Sequence, residues 1–316
     1  RRSIRYKAML RLLSLTLLAI AAAVIVNLAL LTLVARPLNT LATTVKQVAD
    51  GQFGIQVGRF TSRELQQLAN AVNSMSSELA EVEERRIQQM TKAREIQEHL
   101  LPGEANIPGM SVDVIFSPTE DVGGDYYDFI ELPGGSWLIC IADVTGHGVP
   151  AAMEAAILKT ILLQAVEHCV SPSDILTFIN HRFEKISLPE YFASMFIARW
   201  QPSSKRFEYA SAGHEPGFLL DPNQHNVQEL TATGLFLGID PSDTWDTESF
   251  HVLNGSRLLL VTDGASQMCN EDNQMFGLTR LRQLFVDSSG NSSDRVVGRI
   301  HEELQVYSHS QAVDDD

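Results

Sequence analysis

An acidic residue stands where an apolar run meets a glycine-rich turn, a position that suits metal binding. The motif ADVTGHGVPAAM (residues 142–153) contains Asp143 and directly follows the apolar residues 137–141. A helix pattern opens after Pro150. The carboxylate of Asp143 and the carbonyl of Val144 could bind one hard cation, because the adjacent glycines keep side chains away. An Asx turn between a strand and a helix would explain the same motif without a ligand, so this motif alone leaves both interpretations open.

Further carboxylates fall at similar places in the chain. Asp125 follows two glycines in VGGDYYDF, and Asp263 follows the apolar run RLLLVT. The chain stops on three consecutive aspartates at 314–316. Carboxylates gathered at one place repel one another unless cations neutralise them. Several acidic strand ends therefore favour a metal site over turn formation alone.

Five motifs occur in a fixed order: VGGDYYDF, ADVTGHGVPAAM, ASAGHEPGFLL, TGLFLGI and LLLVTDGASQ. Together they resemble the bacterial PP2C-type phosphatases of the SpoIIE/RsbU family, from about residue 94 to the end of the chain. The resemblance implies a protein serine/threonine phosphatase with two Mn²⁺ or Mg²⁺ ions. Carried over by motif, the metal ligands would be Asp125, Asp143, Val144 through its carbonyl, Asp263 and one of the last aspartates, Asp315 first and Asp316 next.

The chain beyond residue 110 mixes short apolar runs with Gly, Pro and Asn, which predicts an α+β domain. The resemblance implies a PP2C-like αββα sandwich with the metals at one end of its two sheets. Family members continue past the terminal aspartates with a Thr and a last strand, so the C-terminal strand is expected to be missing here. The predicted strands are 111–116, 136–142, 193–200, 206–211, 217–220 and 257–262, and the predicted helices are 151–168 and 173–185.

The resemblance also implies a mechanism and a class of partner. Two metals would share a water, lower its pKa and direct it at the phosphorus of a phosphoserine or phosphothreonine. Asp125, Asp143 and Asp263 would be catalytic through this metal-bound water. His147 and His214 could act as general acids, but neighbouring glycines indicate turns, so a structural role or a role in orienting a metal ligand is the preferred interpretation and their roles stay open. Family substrates are phosphorylated anti-sigma-factor antagonists of the STAS type or similar small regulatory proteins, so such a protein is the implied partner.

Residues 12–35 form a stretch of 24 residues without a charge. As a helix it would be long enough to cross the ~30 Å hydrocarbon core of a bilayer. Residues 1–35 are therefore predicted to be a transmembrane helix with a basic flank in the cell (inner) membrane, rather than a signal peptide. The excess of basic residues before the span would place the N-terminus in the cytoplasm. A cytoplasmic catalytic domain requires the opposite orientation, with the N-terminal side of the span outside the cytoplasm. Because the chain starts without Met, an upstream domain and span that help to set this orientation are expected.

Beyond Pro37 the apolar residues keep three- and four-residue spacing, and this pattern resumes at 65–82 after a glycine-containing connector at 51–62. The arrangement resembles a HAMP domain, a parallel dimeric four-helix module, so we expect a homodimer through the HAMP and linker helices. The apolar stripe then changes phase, to Ile87, Met90, Ala93, Ile96 and Leu100. The linker helix in AREIQEHLLP is expected to carry the signal. The predicted domains are HAMP at 36–84, a helical linker at 85–104 and the phosphatase domain at 105–316.

A net charge of −15 argues against a nucleic-acid partner, because a phosphate backbone would be repelled. Three cysteines without CxxC spacing indicate free thiols in a reducing compartment. Two other classes fit parts of the sequence: a non-catalytic acidic module that sequesters a regulatory partner under HAMP control, and a chemoreceptor-like stalk with a structural head. Only an enzyme would lose Mn²⁺-dependent phosphate release when Asp143 is replaced by Asn.

Overall fold

A computed structural model describes residues 2–103, 105–118, 121–222, 227–288 and 290–308 of the chain. These residues form two compact units, Arg1–Gln89 and Met90–Asp316. The first unit is helical, and the second contains all eight strands that the described residues form.

The first unit opens with a long apolar helix. Helix α1 (Arg2–Leu30) and helix α2 (Arg36–Ala49) are joined by a five-residue π-helical turn at Leu31–Ala35. The stretch Met9–Ala49 has a mean hydropathy of 2.7 in its most apolar window, and none of that window is buried. By length and composition this helix could cross a membrane, as expected from the uncharged stretch.

Helix α3 (Arg63–Leu100) follows the connector, and its first half packs with α2 around a small core of Leu41, Val57, Ala69 and Val72. Asn73 of α3 binds both backbone polar groups of Val57 in the connector. The Val57 N–H donates to Asn73 Oδ1 at 2.7 Å, and Asn73 Nδ2 donates to the Val57 carbonyl at 3.0 Å. The connector is thus fixed to the helix that follows it.

The second unit contains two antiparallel sheets. Its strands are β1 (Tyr126–Leu132), β2 (Ser136–Val144), β3 (Ala193–Gln201), β4 (Arg206–Ala212), β5 (Gly217–Leu220), β6 (Val227–Leu230), β7 (Glu248–His251) and β8 (Arg257–Leu259). The first sheet has the order β1-β2-β3-β4-β7, and the second has the order β6-β5-β8.

Alternating side chains on the strands create two apolar cores. Along β2, Leu138 and Cys140 face the helices, whereas Ile139 and Ile141 face the second sheet. Helices also cover the outer face of the second sheet, so the layers run helix, sheet, sheet, helix, which confirms the predicted αββα sandwich. The helices of this unit are α4 (Gly148–His168), α5 (Pro172–Ile186), the short α6 (Asp263–Gln267), α7 (Leu278–Asp287) and α8 (Ser293–Ser308).

Helix α4 is the second helix that is long and apolar enough to span a bilayer. Its side chains Leu158 and Leu162 are fully buried against the first sheet, in the same core as Leu138. The apolar composition of α4 is therefore explained by its place between α5 and the sheet, with which it makes its tertiary contacts.

The strand predicted at 111–116 is wrong, because residues 111–118 have an irregular backbone. Val112 packs against the core between the sheets, which accounts for the apolar character of the segment. Val114 and Ile115 are 44% and 43% exposed, so the segment is anchored by a side chain without a ladder of backbone hydrogen bonds. The strand predicted at 257–262 is shorter than expected, since β8 ends at Leu259.

Candidate metal centre

Three segments that carry the predicted acidic ligands meet at one end of the sheets. Asp125 directly precedes β1 and Asp143 lies near the end of β2. Tyr126 is opposite Ala142 in the antiparallel ladder, so the same register places Asp125 opposite Asp143. The hydroxyl of Thr262, which precedes Asp263, donates to Asp125 Oδ2 at 2.7 Å. The segment after β8 is thereby joined to the segment before β1.

A glycine next to Asp125 allows two backbones to approach closely. The Val144 N–H donates to the Gly124 carbonyl at 3.3 Å. A Cβ added at Gly124 would lie 2.3 Å from the Val144 carbonyl oxygen, a distance that real Cβ contacts essentially never show. Glycine is therefore required here by space. It keeps a side chain away from the backbone oxygen that was predicted as a ligand.

The donor atoms of this site fit a hard divalent cation, because carboxylate and backbone carbonyl oxygens are the ligands that Mg²⁺ and Mn²⁺ prefer. One Asp263 carboxylate oxygen accepts a hydrogen bond from Gln267 Nε2 at 2.9 Å. Among the residues that the structure describes, no three His, Cys, Asp or Glu side chains are grouped so as to hold one ion. Asp315 and Asp316 lie outside the described residues. The complete ligand set therefore stays a prediction.

A buried histidine lies one strand away from Asp143. Ser194 of β3 is opposite Asp143 in the ladder, and its hydroxyl oxygen is 2.7 Å from His214 Nδ1. Burial lowers the pKa of His214 to about 4, so the ring is neutral at physiological pH. His147, in contrast, is exposed at the N-cap of α4. The burial of His214 supports its interpretation as a structural residue.

A polar cluster joins β1 to α4 beside the site. Asp128 accepts hydrogen bonds at 2.6 Å from both the Tyr126 hydroxyl and Lys159 Nζ, and the Asp128 side chain is only 6% exposed. Burial raises the pKa of Tyr126 and the pKa of the Cys140 thiol well above their ordinary values. Neither group ionises at physiological pH, so the cluster acts by fixing β1 against α4.

Sequence reasoning missed Gln97, a residue of α3 whose side chain reaches the loop before Asp125. Gln97 Nε2 donates to the Gly123 carbonyl at 2.7 Å, and the Gly123 N–H donates to Gln97 Oε1 at 3.2 Å. The predicted apolar stripe placed Ile96 inside, but Ile96 is 57% exposed and Gln97 is buried instead. The available signal was helical spacing, since Gln97 shares a face with Ala93 and Leu100.

Comparison with known proteins agrees with this architecture. The family model for Stage II sporulation protein E (SpoIIE) matches residues 133–316, and the model for the HAMP domain matches residues 29–81. The chain is 32% identical over 208 residues to Phosphoserine phosphatase RsbU of Bacillus subtilis, covering 65% of this chain and 61% of that protein. It is 27% identical over 226 residues to Protein IcfG of Synechocystis, covering 62% of this chain and 35% of that protein. The chain thus spans less than two thirds of these relatives.

Solved structures share the fold of the second unit. The SiaA-PP2C domain of Pseudomonas aeruginosa has a TM-score of 0.67 at 20% identity, covering 75% of this chain and 95% of that chain. The PP2C phosphatase domain of SpoIIE from Bacillus subtilis, solved with a fragment of its regulatory domain, has a TM-score of 0.52 at 18% identity. That match covers 61% of this chain and 56% of the solved chain. These similarities show a PP2C-like fold.

Proposed function

This chain belongs to the SpoIIE family of PP2C-type phosphatases, and from that premise we propose that it hydrolyses phosphoserine or phosphothreonine on a regulatory protein. The observation that carries the proposal is the meeting of the Asp125, Val144 and Thr262 segments around a glycine that leaves room at the Val144 carbonyl. Those segments supply oxygen ligands at one sheet end, which is what metal-assisted hydrolysis of a phosphate ester requires.

PP2C-family phosphatases are metal-dependent, and for this chain we propose two Mn²⁺ or Mg²⁺ ions. Such ions, when bound, lower the pKa of a water and offset charge on phosphoryl oxygens. Thr262 orients Asp125 by its hydrogen bond to Oδ2, and Gly124 leaves the Val144 carbonyl open. The proposed ligands are Asp125, Asp143, the Val144 carbonyl, Asp263 and Asp315, with Asp316 as the alternative to Asp315.

The proposed substrate is a phosphorylated regulatory protein of the anti-sigma-factor-antagonist (STAS) type, and not a nucleic acid, given the net charge of −15. The apolar α1 helix and the HAMP domain support anchoring in the inner membrane with the catalytic domain in the cytoplasm. A homodimer through the HAMP and linker helices would bury apolar side chains that one chain leaves exposed. These are Leu38, Val45, Leu68, Met75, Leu79 and Val82.

The proposal is tested with the full chain in detergent micelles, with and without Mn²⁺. We expect Mn²⁺-dependent release of phosphate from p-nitrophenyl phosphate and from a phosphorylated cytosolic protein extract. Asp143→Asn should abolish both activities, because it removes a charge that balances the cations. Asp246→Asn, the same change at an exposed aspartate outside the predicted ligand set, should leave both activities unchanged.

Two results would contradict the enzyme proposal. One is wild-type protein that binds a phosphorylated partner but releases no phosphate with Mn²⁺ or Mg²⁺, as expected of a non-catalytic acidic binding module. The other is full activity in the Asp143→Asn variant, which would place the chemistry elsewhere.

A further inference from the structure

Two segments that border the candidate metal centre carry exposed apolar side chains. These side chains, which we call the apolar rim, are Ile186 (57% exposed), Leu188 (58%), Leu235 (57%) and Ile239 (53%). Single exposed apolar residues are ordinary on a protein surface, but a group of them beside one site marks a place of interaction. The apolar rim is therefore a candidate docking surface.

The first segment of the rim lies beside the backbone that carries the predicted ligand Val144. Ala193 is opposite Val144 in the ladder of β2 and β3. Next to this pair, the Thr145 N–H donates to the Phe192 carbonyl at 3.0 Å, and the Thr145 hydroxyl donates to the same oxygen at 3.1 Å. The segment 186–192 is thus joined directly to the turn that follows Val144.

The second segment of the rim, residues 233–239, is joined to the first. Ala193 and Leu237 exchange two backbone hydrogen bonds, at 3.0 and 2.8 Å. The rings of Phe192 and Phe236 pack edge to face, with their centroids 5.5 Å apart. The two segments therefore form one surface at the metal end of the sheets.

The apolar rim is ordered before any partner binds. Asn180 of α5 is fully buried, and it accepts a hydrogen bond from the Gly238 N–H and donates one to the Asp240 carbonyl, both at 2.7 Å. In the other segment the Tyr191 N–H donates to the Leu188 carbonyl at 3.0 Å. Because these contacts already fix the backbone, a partner that binds the rim loses little free energy in ordering it.

The charge of the two segments indicates what covers the rim. The chain has a net charge of −15, yet residues 186–193 and 233–239 contain one charged side chain, Glu190. A phosphoprotein carries additional negative charge at its phosphorylated residue, which an acidic surface would repel. A nearly uncharged apolar surface beside the centre accepts such a protein without this repulsion, whereas a small phosphate ester would leave the rim exposed.

We propose that the apolar rim is the docking surface for the protein substrate, and that it contacts apolar side chains next to the phosphorylated serine or threonine. This inference rests on the proposed function, because the phosphoryl group must enter the metal centre for the neighbouring surface to cover the rim. A few buried anchors carry most of the binding energy of a protein interface. A change at one rim residue should therefore weaken phosphoprotein binding and spare a small ester.

The experiment introduces Leu188→Glu and, separately, Ile239→Glu into the full chain in detergent. Hydrolysis with Mn²⁺ is measured for p-nitrophenyl phosphate and for a purified STAS-domain anti-sigma-factor antagonist phosphorylated on serine. We expect kcat/KM for the phosphoprotein to fall at least about tenfold, mainly through KM. For p-nitrophenyl phosphate kcat/KM should stay within about twofold of wild type, because this small ester does not reach the rim.

The matched control is Leu253→Glu, the same change at a residue that is 47% exposed. Its neighbour Val252 donates a backbone hydrogen bond to Lys205, in the turn between β3 and β4 at the opposite end of the sheet from Val144. This variant should keep both activities. Thermal unfolding verifies that each variant is folded, and Leu188→Ser and Ile239→Ser carry the test if the glutamate variants do not fold.

Three results in a folded rim variant would overturn the inference. One is an equal loss of activity towards both substrates, and another is full activity towards the phosphoprotein. The third is a change of oligomeric state, measured by light scattering, that Leu253→Glu does not share. Such a change would assign the rim to a contact between copies of this chain.

A binding measurement in metal-free buffer separates this inference from the proposed function. Isothermal titration calorimetry gives the dissociation constant of the phosphoprotein without hydrolysis, and Leu188→Glu should raise it at least about tenfold while Leu253→Glu does not. If wild type binds the phosphoprotein at the rim but never hydrolyses it with Mn²⁺, the proposed function alone fails. If wild type does not bind the phosphoprotein, the docking inference fails.

Discussion

The residues around the predicted centre are held by short hydrogen bonds to few partners. Asp128 is bound by Tyr126 and Lys159, and His214 is bound by Ser194. Burial lowers the pKa of His214, so the protonation state of this ring is tied to the folded structure. The consequence is a dependence of stability on pH that individual residues should reveal.

His214 should make folding weaker in acid. Its folded pKa is about 4 because of burial, whereas an unfolded histidine has a pKa of about 6.5. Between these values the unfolded chain binds a proton that the folded chain does not, so stability is complete above pH 6.5 and falls as the pH drops towards 4. We expect this single group to remove about 3 kcal/mol of unfolding free energy by pH 4.

The measurement is urea unfolding from pH 4 to pH 8 in metal-free buffer, followed by tryptophan fluorescence. His214→Asn should lose this part of the acid sensitivity, whereas His251→Asn, at an exposed position of β7, should retain it. An unchanged pH slope in His214→Asn would mean that the ring is not the group responsible.

At the scale of elements, the centre depends on how closely β1 and β2 approach. Asp143 lies in β2 and Asp125 directly precedes β1, its antiparallel neighbour. The N–H of Val144, the last residue of β2, donates to the Gly124 carbonyl ahead of β1. Ala151 of α4 packs against Gly124 from a third direction, since a Cβ added at Gly124 would lie 3.4 Å from the Cβ of Ala151. One small residue therefore sets the spacing of two strands and a helix.

Gly124→Ala should separate these elements. The new Cβ would meet the Val144 carbonyl oxygen at 2.3 Å, so the backbone must shift. Overpacking of this kind typically costs 1–3 kcal/mol of unfolding free energy, measurable by urea unfolding. Mn²⁺-dependent phosphatase activity should fall at least tenfold, because Asp125 moves with the backbone.

Gly103→Ala is the matched control, because a Cβ at Gly103 meets nothing within 4 Å. It should leave activity and the midpoint of unfolding unchanged. If Gly124→Ala were as active and stable as Gly103→Ala, the close approach of the two strands would not be needed for function.

Elements with strong burial were predictable from the sequence. Strand β5 has the predicted bounds 217–220, and α5 differs from the prediction by one residue at each end, because apolar spacing there reflects the core directly. Strand β7 gave no comparable signal, since its four residues are largely exposed and it pairs at the edge of β4. Its place depends on the partner strand, which local spacing does not encode.

The centre was predictable in part for the same reason. Asp125 follows two glycines and Asp263 follows an apolar run, so both segments could be placed at sheet ends. Gln97 was missed despite its spacing from Ala93 and Leu100, because a glutamine in a charged helix usually belongs to the solvent face. Its burial follows from the loop around Gly123 folding onto α3, a contact between residues that are 26 positions apart.

At the scale of the whole molecule, the chain combines an apolar helix with a PP2C-like unit in an acidic protein of net charge −15. The most apolar window of Met9–Ala49 has no buried part, whereas the charged residues that give −15 lie mainly beyond it. Such a helix is soluble only if another surface covers it. A bilayer would provide that surface and, under the proposed function, would fix where the enzyme meets its substrate.

We therefore expect the full chain to stay with the membrane pellet after alkaline carbonate extraction. Deletion of residues 2–35 should release the remaining chain into the supernatant, because it removes the uncharged stretch and leaves the HAMP and PP2C segments. Immunoblotting of the two fractions measures the distribution. Release of the full chain by carbonate would show that the helix is held by protein contacts instead of lipid.

The π-helical turn at Leu31–Ala35 has a consequence for how the apolar helix α1 connects to helix α2 of the HAMP segment. A π turn accommodates about one residue more than an α turn, and each extra residue rotates the next helix by about 100°. The α2 stripe that contains Leu41 and Val48 is thus offset from the direction that a continuous α-helix would give it. Converting this turn to an α turn at constant length would therefore redirect the stripe by nearly a third of a revolution, about 100°, whereas excising one residue at the same time would leave its direction nearly unchanged.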